Sequence, residues 1–212
     1  MAQDTITVAP ARPMLLDALM PELDATRVEH RVIDGDQALV YEAVMAADFI
    51  RAWRDNAAVR TLFAARAAAE QVLTRVLGHE PGAPAAAPDS MRLADLSAHG
   101  QWVRLGEDPP HEIVFGVVGR FWAGETVWEE IDAAEFAGFS RPGFARIACN
   151  FSLRPYGGAR TLVSYEARTR ATDERARSGF LRYWRAASVG AGVVMRSQLA
   201  IVAGEAAKLA DS

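Results

Sequence analysis

The residues of this chain that could ligate a metal or attack a carbonyl stand apart from one another. Its four histidines, His30, His79, His99 and His111, and its one cysteine, Cys149, occur singly, with no HxH, HExxH or CxxC spacing. A locally assembled zinc or iron site needs two ligands within one turn or hairpin, so neither a metal nor a cofactor is expected. A thiol nucleophile needs an adjacent base. The histidine nearest to Cys149 in sequence, His111, belongs to a different predicted strand, so Cys149 reads as an inert core thiol. His111-Glu112 opens its strand beside two prolines and reads as a solvated strand end. The glycines of Phe115-Gly116-Val117-Val118-Gly119-Arg120 lie inside a strand and do not open a helix, so they cannot form a phosphate loop. They mark strand bends or the close approach of another segment.

What remains is polar groups set among apolar ones by strand alternation. In Phe144–Leu153, Ile147, Cys149, Phe151 and Leu153 share one face, and Arg146, Ala148, Asn150 and Ser152 the other. In Thr161–Thr169 the faces are Val163/Tyr165/Ala167 and Ser164/Glu166/Arg168. With the apolar sets inward, Glu166 and Arg168 lie on the outer face, where a cross-strand ion pair is a better reading than a catalytic acid. The Tyr165 hydroxyl then lies inside. A buried phenol takes a partner, either a structural hydrogen bond or a ligand.

The elements that hold these residues follow from periodicity. Residues 1–12 read as a loose segment and residues 13–212 as one domain. A short helix spans Met14–Met20 between two prolines, and Thr26–Ile33 alternates as a first strand. Helical spacing covers Gln37–Met45 and Val59–Leu77, the second with a stripe of Val59, Leu62, Phe63, Val72, Leu73 and Val76. Pro81–Pro88 is a loop. Gln101–Leu105 and His111–Trp122 form a hairpin around residues 106–110. The near-continuous apolarity of the second strand suggests burial on both sides, and leaves open which of its alternate residues turn inward. Thr126–Phe139 fits either a strand with a turn or a short helix. The two strands above meet at Pro155-Tyr156-Gly157-Gly158, and a long Ala/Gly-rich helix runs from Asp173 to Lys208, softened at Gly190-Ala191-Gly192. Phe180, Trp184, Val194 and Leu199 or Ile201 should be buried where that helix meets the sheet.

Bulk composition narrows the classes. Half of the 212 residues are hydrophobic and 24% are charged, which is globular. A net charge of −4 gives no drive toward phosphate backbones, so nucleic acid is not an expected partner. One cysteine fits a reducing compartment. No uninterrupted run of some 18 apolar residues and no signal peptide is evident, so a cytoplasmic protein without membrane insertion is expected. Five tryptophans, Trp53, Trp102, Trp122, Trp128 and Trp184, read as large core side chains or as the wall of an aromatic pocket.

The order of these elements resembles the helix-grip superfamily called SRPBCC or START-like, and within it an uncharacterised bacterial branch. The residues that carry the likeness are Leu19-Met20-Pro21-Glu22-Leu23, Asn150-Phe151-Ser152-Leu153 with Pro155, Leu162-Val163-Ser164-Tyr165-Glu166-Ala167-Arg168, and Phe180-Leu181-Arg182-Tyr183-Trp184-Arg185 leading to Leu199, Ile201 and Glu205. The resemblance implies an α+β fold in which a curved antiparallel sheet wraps around a long C-terminal helix over an apolar pocket. It implies no particular activity. In that pocket Tyr165, Phe151, Cys149 and Val163 are the expected ligand contacts, with Phe115, Trp122 and Trp184. Three functions compete: a carrier or sensor of a small hydrophobic molecule, lipid-like or aromatic; a cyclase or dehydratase using Tyr165 with His111 or Arg104; and an interaction protein whose cavity is filled by its own side chains.

Overall fold

In the computed structural model of the protein, residues 13–50, 56–57, 59–61, 64, 90–122 and 126–212 are described. The segment 1–12, most of the helix predicted over Val59–Leu77, the Pro81–Pro88 loop, Trp53 and His79 lie outside the described residues. The chain opens with a short helix, α1 (Leu15–Leu19), and the predicted first strand, β1 (Ala25–Asp34). Gly35, at a φ of 125° that a side chain would resist, turns the chain into α2 (Gln37–Ala46). Asp36 caps that helix, its carboxylate accepting from Leu39 N at 2.9 Å. After a 3₁₀ turn at Leu93–Asp95 come β2 (His99–Gly100), β3 (Trp102–Asp108) and β4 (Glu112–Arg120). The hairpin is tighter than its glycine suggested: β3 runs through Gly106, because a register shift between Arg104 and Gly106 keeps it paired as far as Asp108. The ambiguous stretch 126–139 holds both alternatives, strands β5 (Val127–Glu129) and β6 (Ile131–Asp132) followed by helix α3 (Ala133–Phe136). Strands β7 (Ala145–Pro155) and β8 (Arg160–Ala171) are joined where Gly157 and Gly158 take positive φ. Asp173 then caps α4 (Glu174–Ala210), accepting from Ala176 N at 2.9 Å and Gly143 N at 2.5 Å. These backbone donors, Ala176 first, hold its carboxyl below the usual value.

The fold is α+β, of helix-grip type. The strand order β1-β8-β7-β4-β3 is antiparallel throughout, β5 also pairs with β4, and β2 pairs with β6 apart from the main sheet. α4 packs chiefly on β1 and β8, and α2 lies beside it over β7 and β8. Their shared core contains Val40, Val44, Met195, Leu199 and Val202. The sheet's other face is covered too: Leu16 and Met20 of the α1 segment and Phe136 of α3 pack on Val103, Val114, Val118 and Ala148. β4 therefore turns Ile113 and Phe115 toward the long helix and Val114 and Val118 away from it, all buried. The outer face is not the solvated surface that alternation alone implied. Asn150 and Ala148 are fully buried on it, while Glu166 and Arg168 pair with each other along β8 at 2.6 Å instead of across strands.

Two expectations about α4 change. It is one uninterrupted helix, and Gly192 serves close approach: a Cβ there would lie 2.7 Å from Glu29 Oε1 and would strike the Arg27 guanidinium. Of the residues expected in the helix–sheet contact, Phe180 and Leu199 are buried, but Trp184, Val194 and Ile201 are only half-buried. Trp184 rests one side on Phe180, at 5.8 Å, at the rim of the sheet. By length and composition alone α4, with an 18-residue stretch of mean hydropathy 1.4, would also suffice to cross a membrane. A core helix meets the same criterion, and its stripe of Met195, Leu199, Val202 and Ala206 is buried against protein.

Among the described residues of the outer face, Glu112 is the buried carboxylate. Glu112 Oε2 accepts from Leu15 N at 2.7 Å, and Oε1 accepts from Leu16 N at 3.2 Å and Asn150 Nδ2 at 2.6 Å. Glu112→Ala removes the acceptor of three buried donors and should cost about 2–4 kcal/mol in urea unfolding. Gly116 is the second tight point, since a Cβ on it would lie 2.7 Å from Leu105 Cδ1, 2.8 Å from Phe136 Cε2 and 3.1 Å from the Ile147 carbonyl. Gly116→Ala should destabilise by about 1–3 kcal/mol through overpacking, read from the same unfolding curve.

Candidate functional site

Register places the expected site residues. Phe151 faces Tyr165 across β7 and β8, and Phe115 faces Cys149 across β4 and β7. Direct opposition brings side chains together, and the Phe151 and Tyr165 rings stack at 4.4 Å with planes 16° apart. Phe115 joins them at 6.1 Å and 6.3 Å. Trp102 of β3 lies 5.8 Å from Phe115, and Phe49, after α2, stacks on Phe151 at 5.4 Å. With buried Val163 and Cys149, these rings give the inner face an aromatic floor. The Tyr165 hydroxyl and Cys149 thiol are neighbours on this floor, and burial pushes the thiol up to about 12 and the phenol well above its ordinary value.

The edge of this floor is polar. Arg104, opposite Phe115, shares its face. Its Nη2 donates to the carbonyls of Leu93 at 3.0 Å and Ala94 at 2.9 Å, and its Nη1 reaches Glu107 at 3.4 Å. Its Nε–H is enclosed and has no partner among the described residues. Neither has the hydroxyl of Tyr41, a buried residue of α2. Burial first, then the Glu107 carboxylate, push the Tyr41 phenol up to about 12, with Arg104 opposing. A third orphan, Gln198 Oε1, belongs to α4; Arg146 Nε and Asn150 Oδ1 are orphans of the outer face. Sequence reasoning named Arg104 as an orienting group and overlooked Tyr41. The available signal was an aromatic hydroxyl in the apolar run Leu39-Val40-Tyr41 of a predicted helix.

Trp122 and Trp184 do not join this group. They pack with Phe121, Phe180 and Tyr183 in a separate aromatic cluster between the end of β4 and the first turns of α4. The reason is helical rise: Trp184 precedes Met195 of the main core by eleven residues, about 16 Å along the axis. His111 and Glu112 are also placed differently from the expected solvated strand end. Glu112 is buried, and the His111 ring is held by Gln37 Nε2 at 2.7 Å from Nδ1. That amide nitrogen also donates to the Leu153 carbonyl at 2.8 Å. The carbonyl demands a donor, so Gln37 presents N–H, Nδ1 accepts, and Nε2 carries the imidazole proton. Both residues line a cavity of about 260 Å³ at the strand ends, shared with Met14, Asp108, Ser152 and Arg154. Its lining mixes these polar side chains with Pro13, Met14, Leu153 and Pro155, and includes none of the aromatic floor.

No family model matches the chain, and neither does any curated protein. Solved structures similar to it include an Arthrobacter aurescens protein (10% identity, 95% of this chain and 93% of that one, TM-score 0.38). Another is a Mesorhizobium loti protein (15% identity, 84% and 96%, TM-score 0.35). A third is an aromatase/cyclase from a Streptomyces species (15% identity, 87% and 94%, TM-score 0.29). Superpositions this loose add nothing to the geometry, and the α+β architecture stands on strand order and helix packing.

A thiol this deeply buried and this weakly acidic stays protonated between pH 5 and 9, a range below its value of about 12. Cys149 should therefore resist iodoacetamide in the folded protein and react stoichiometrically in urea, read by intact mass; rapid labelling of the native chain would show that the floor opens to solvent.

Proposed function

We propose that this protein binds or carries a small hydrophobic molecule, aromatic or lipid-like, on the inner face of the sheet beneath α2 and α4. The observation that carries this reading is the aromatic floor of Phe115, Phe151 and Tyr165, a flat apolar surface edged by a few polar groups, which is the usual composition of a small-molecule site. Cys149 and Val163 complete the floor. Trp122 and Trp184 belong to the separate rim cluster and are not part of this proposal. The resemblance to the SRPBCC superfamily supports a ligand held between sheet and C-terminal helix.

The cyclase or dehydratase reading has less support. It needs Tyr165 to act with His111 or Arg104, whereas His111 lines the cavity at the strand ends and the Arg104 guanidinium is held by the Leu93 and Ala94 carbonyls and by Glu107. The reading of an interior closed by its own side chains draws on Phe49, which stacks on Phe151.

Titration with an environment-sensitive naphthalene dye separates binding from a closed interior. Saturable, near-stoichiometric binding is expected, weakened several-fold or more by Phe151→Ala, which removes the central ring of the floor. Absence of saturable binding, with the protein folded by circular dichroism, would leave the closed interior standing.

A further inference from the structure

The cavity at the strand ends holds hydrogen-bonding groups that the fold leaves unused, and they are of both kinds. Its wall is fixed by Gln37, the first residue of α2. The amide uses both N–H groups, one on His111 Nδ1 at 2.7 Å and one on the Leu153 carbonyl at 2.8 Å. Two groups are left over from that clamp, the His111 Nε2–H donor and the Gln37 Oε1 acceptor. Ser152 adds a third. It is only 8% exposed and stands on β7 opposite Glu112, yet its hydroxyl has no partner among the described residues. Unlike Arg104 Nε, none of these three atoms is both enclosed and unpartnered, so each keeps open surface where its residue lines the cavity.

The charge of a fitting ligand follows from the other side chains of the wall. Glu112 already accepts from Leu15 N, Leu16 N and Asn150 Nδ2, and Asp108 is not free either. Facing these two carboxylates across the cavity lining is the Arg154 guanidinium. A ligand anion would meet Glu112 and Asp108, and a ligand cation would meet Arg154 and the His111 N–H. A neutral hydroxyl avoids both penalties. It can accept from His111 Nε2–H while donating to Gln37 Oε1, and a second hydroxyl can pair with Ser152 in either sense. Met14 and Pro155 supply C–H surface beside these groups, and the volume of about 260 Å³ lies below the roughly 300 Å³ at which drug-sized sites begin.

We infer that the cavity at the strand ends binds a small neutral polyol, of diol to monosaccharide size, through the His111 Nε2–H, the Gln37 carbonyl oxygen and the Ser152 hydroxyl. This site is separate from the aromatic floor and stands whatever that floor takes.

The test titrates the whole chain with cis-cyclohexane-1,2-diol, cyclohexanecarboxylate and cyclohexylammonium, three compounds with one ring and different charge. The pH is held at about 8, where an ordinary imidazole is neutral. Nuclear magnetic resonance follows the His111 ring and the Gln37 side-chain amide. The diol should shift both sets of signals saturably and bind more tightly than either ion. Ser152→Ala should weaken the diol about fivefold, the worth of one neutral hydrogen bond. It should not lower the urea midpoint, because the hydroxyl it removes has no partner within the fold to lose. Tighter binding of the carboxylate or of the ammonium would overturn the neutral assignment. Diol binding that leaves the His111 and Gln37 signals in place would show that the ligand sits elsewhere and overturn the site. An unchanged affinity in Ser152→Ala would remove Ser152 from it. If no compound gives saturable shifts while the protein is folded by circular dichroism, solvent alone satisfies the three groups and the inference fails; the dye titration of the aromatic floor is untouched by that outcome.

Discussion

Strand β4 meets protein on every side: β3 and β5 pair with one edge, β7 with the other, and helices cover both faces. A strand in that position tolerates no unsatisfied polar group, and much of the structure can be read as the answer to that demand. Its glycines, Gly116 and Gly119, let the rings of Phe136 and Trp128 lie directly on the backbone. Its one charged residue inside the fold, Glu112, receives the first backbone donors of α1 and the amide of Asn150. That carboxylate is why a five-residue helix with little stability of its own stays docked on the sheet. Arg168 reinforces it from β8, donating to Asp17 at 2.7 Å and to the Met20 carbonyl at 3.2 Å.

The opposite layer has a different difficulty. β1 is a sheet edge ten residues long, and an exposed edge of that length invites pairing with another chain. Here Arg27, Glu29 and Arg31 alternate on the inner face, and charges turned inward discourage such pairing. They also have to share space with α4. Gly192 yields that space, and Arg196, four residues on, reaches Glu29 at 2.8 Å. Burial raises the Glu29 carboxyl, but hydrogen bonds from Arg27 and Arg196 outweigh it and hold it below its ordinary value. The long helix is therefore seated on β1 through a small charged cluster and on the rest of its core by Met195, Leu199 and Val202.

Between these two solutions lies the aromatic floor. Its position follows from antiparallel register, which puts Phe151 opposite Tyr165 and Phe115 opposite Cys149. The Tyr165 hydroxyl and Cys149 thiol sit at the middle of the floor, and the enclosed polar groups of α2 and β3 lie at its margin. The rim cluster of Phe121, Trp122, Trp128, Phe180 and Trp184 anchors the start of α4 at the other end of β4. Two aromatic groups thus do separate work, one beneath the helices and one clamping the helix start to the sheet.

By itself the sequence determined most of the elements and the inward faces of two strands. Period-two alternation in 144–153 and 161–169 identified the inward sets correctly, because one register satisfies both strands. The glycine pair at 157–158 marked the turn, and Asp173 marked the start of the long helix, because these are local backbone requirements. Tertiary structure decided what covers each face. Alternation says that Ala148 and Asn150 share a side, but only the docking of α1 and α3 makes that side dry and converts Glu112 from a strand-end acid into a buried anchor. The division of the aromatics between floor and rim, the role of Gly192 as a seat for charges, and the two enclosed donors on Tyr41 and Arg104 likewise arise from contacts between residues far apart in the chain. Periodicity records which way a side chain leaves the backbone; it holds no record of what waits there.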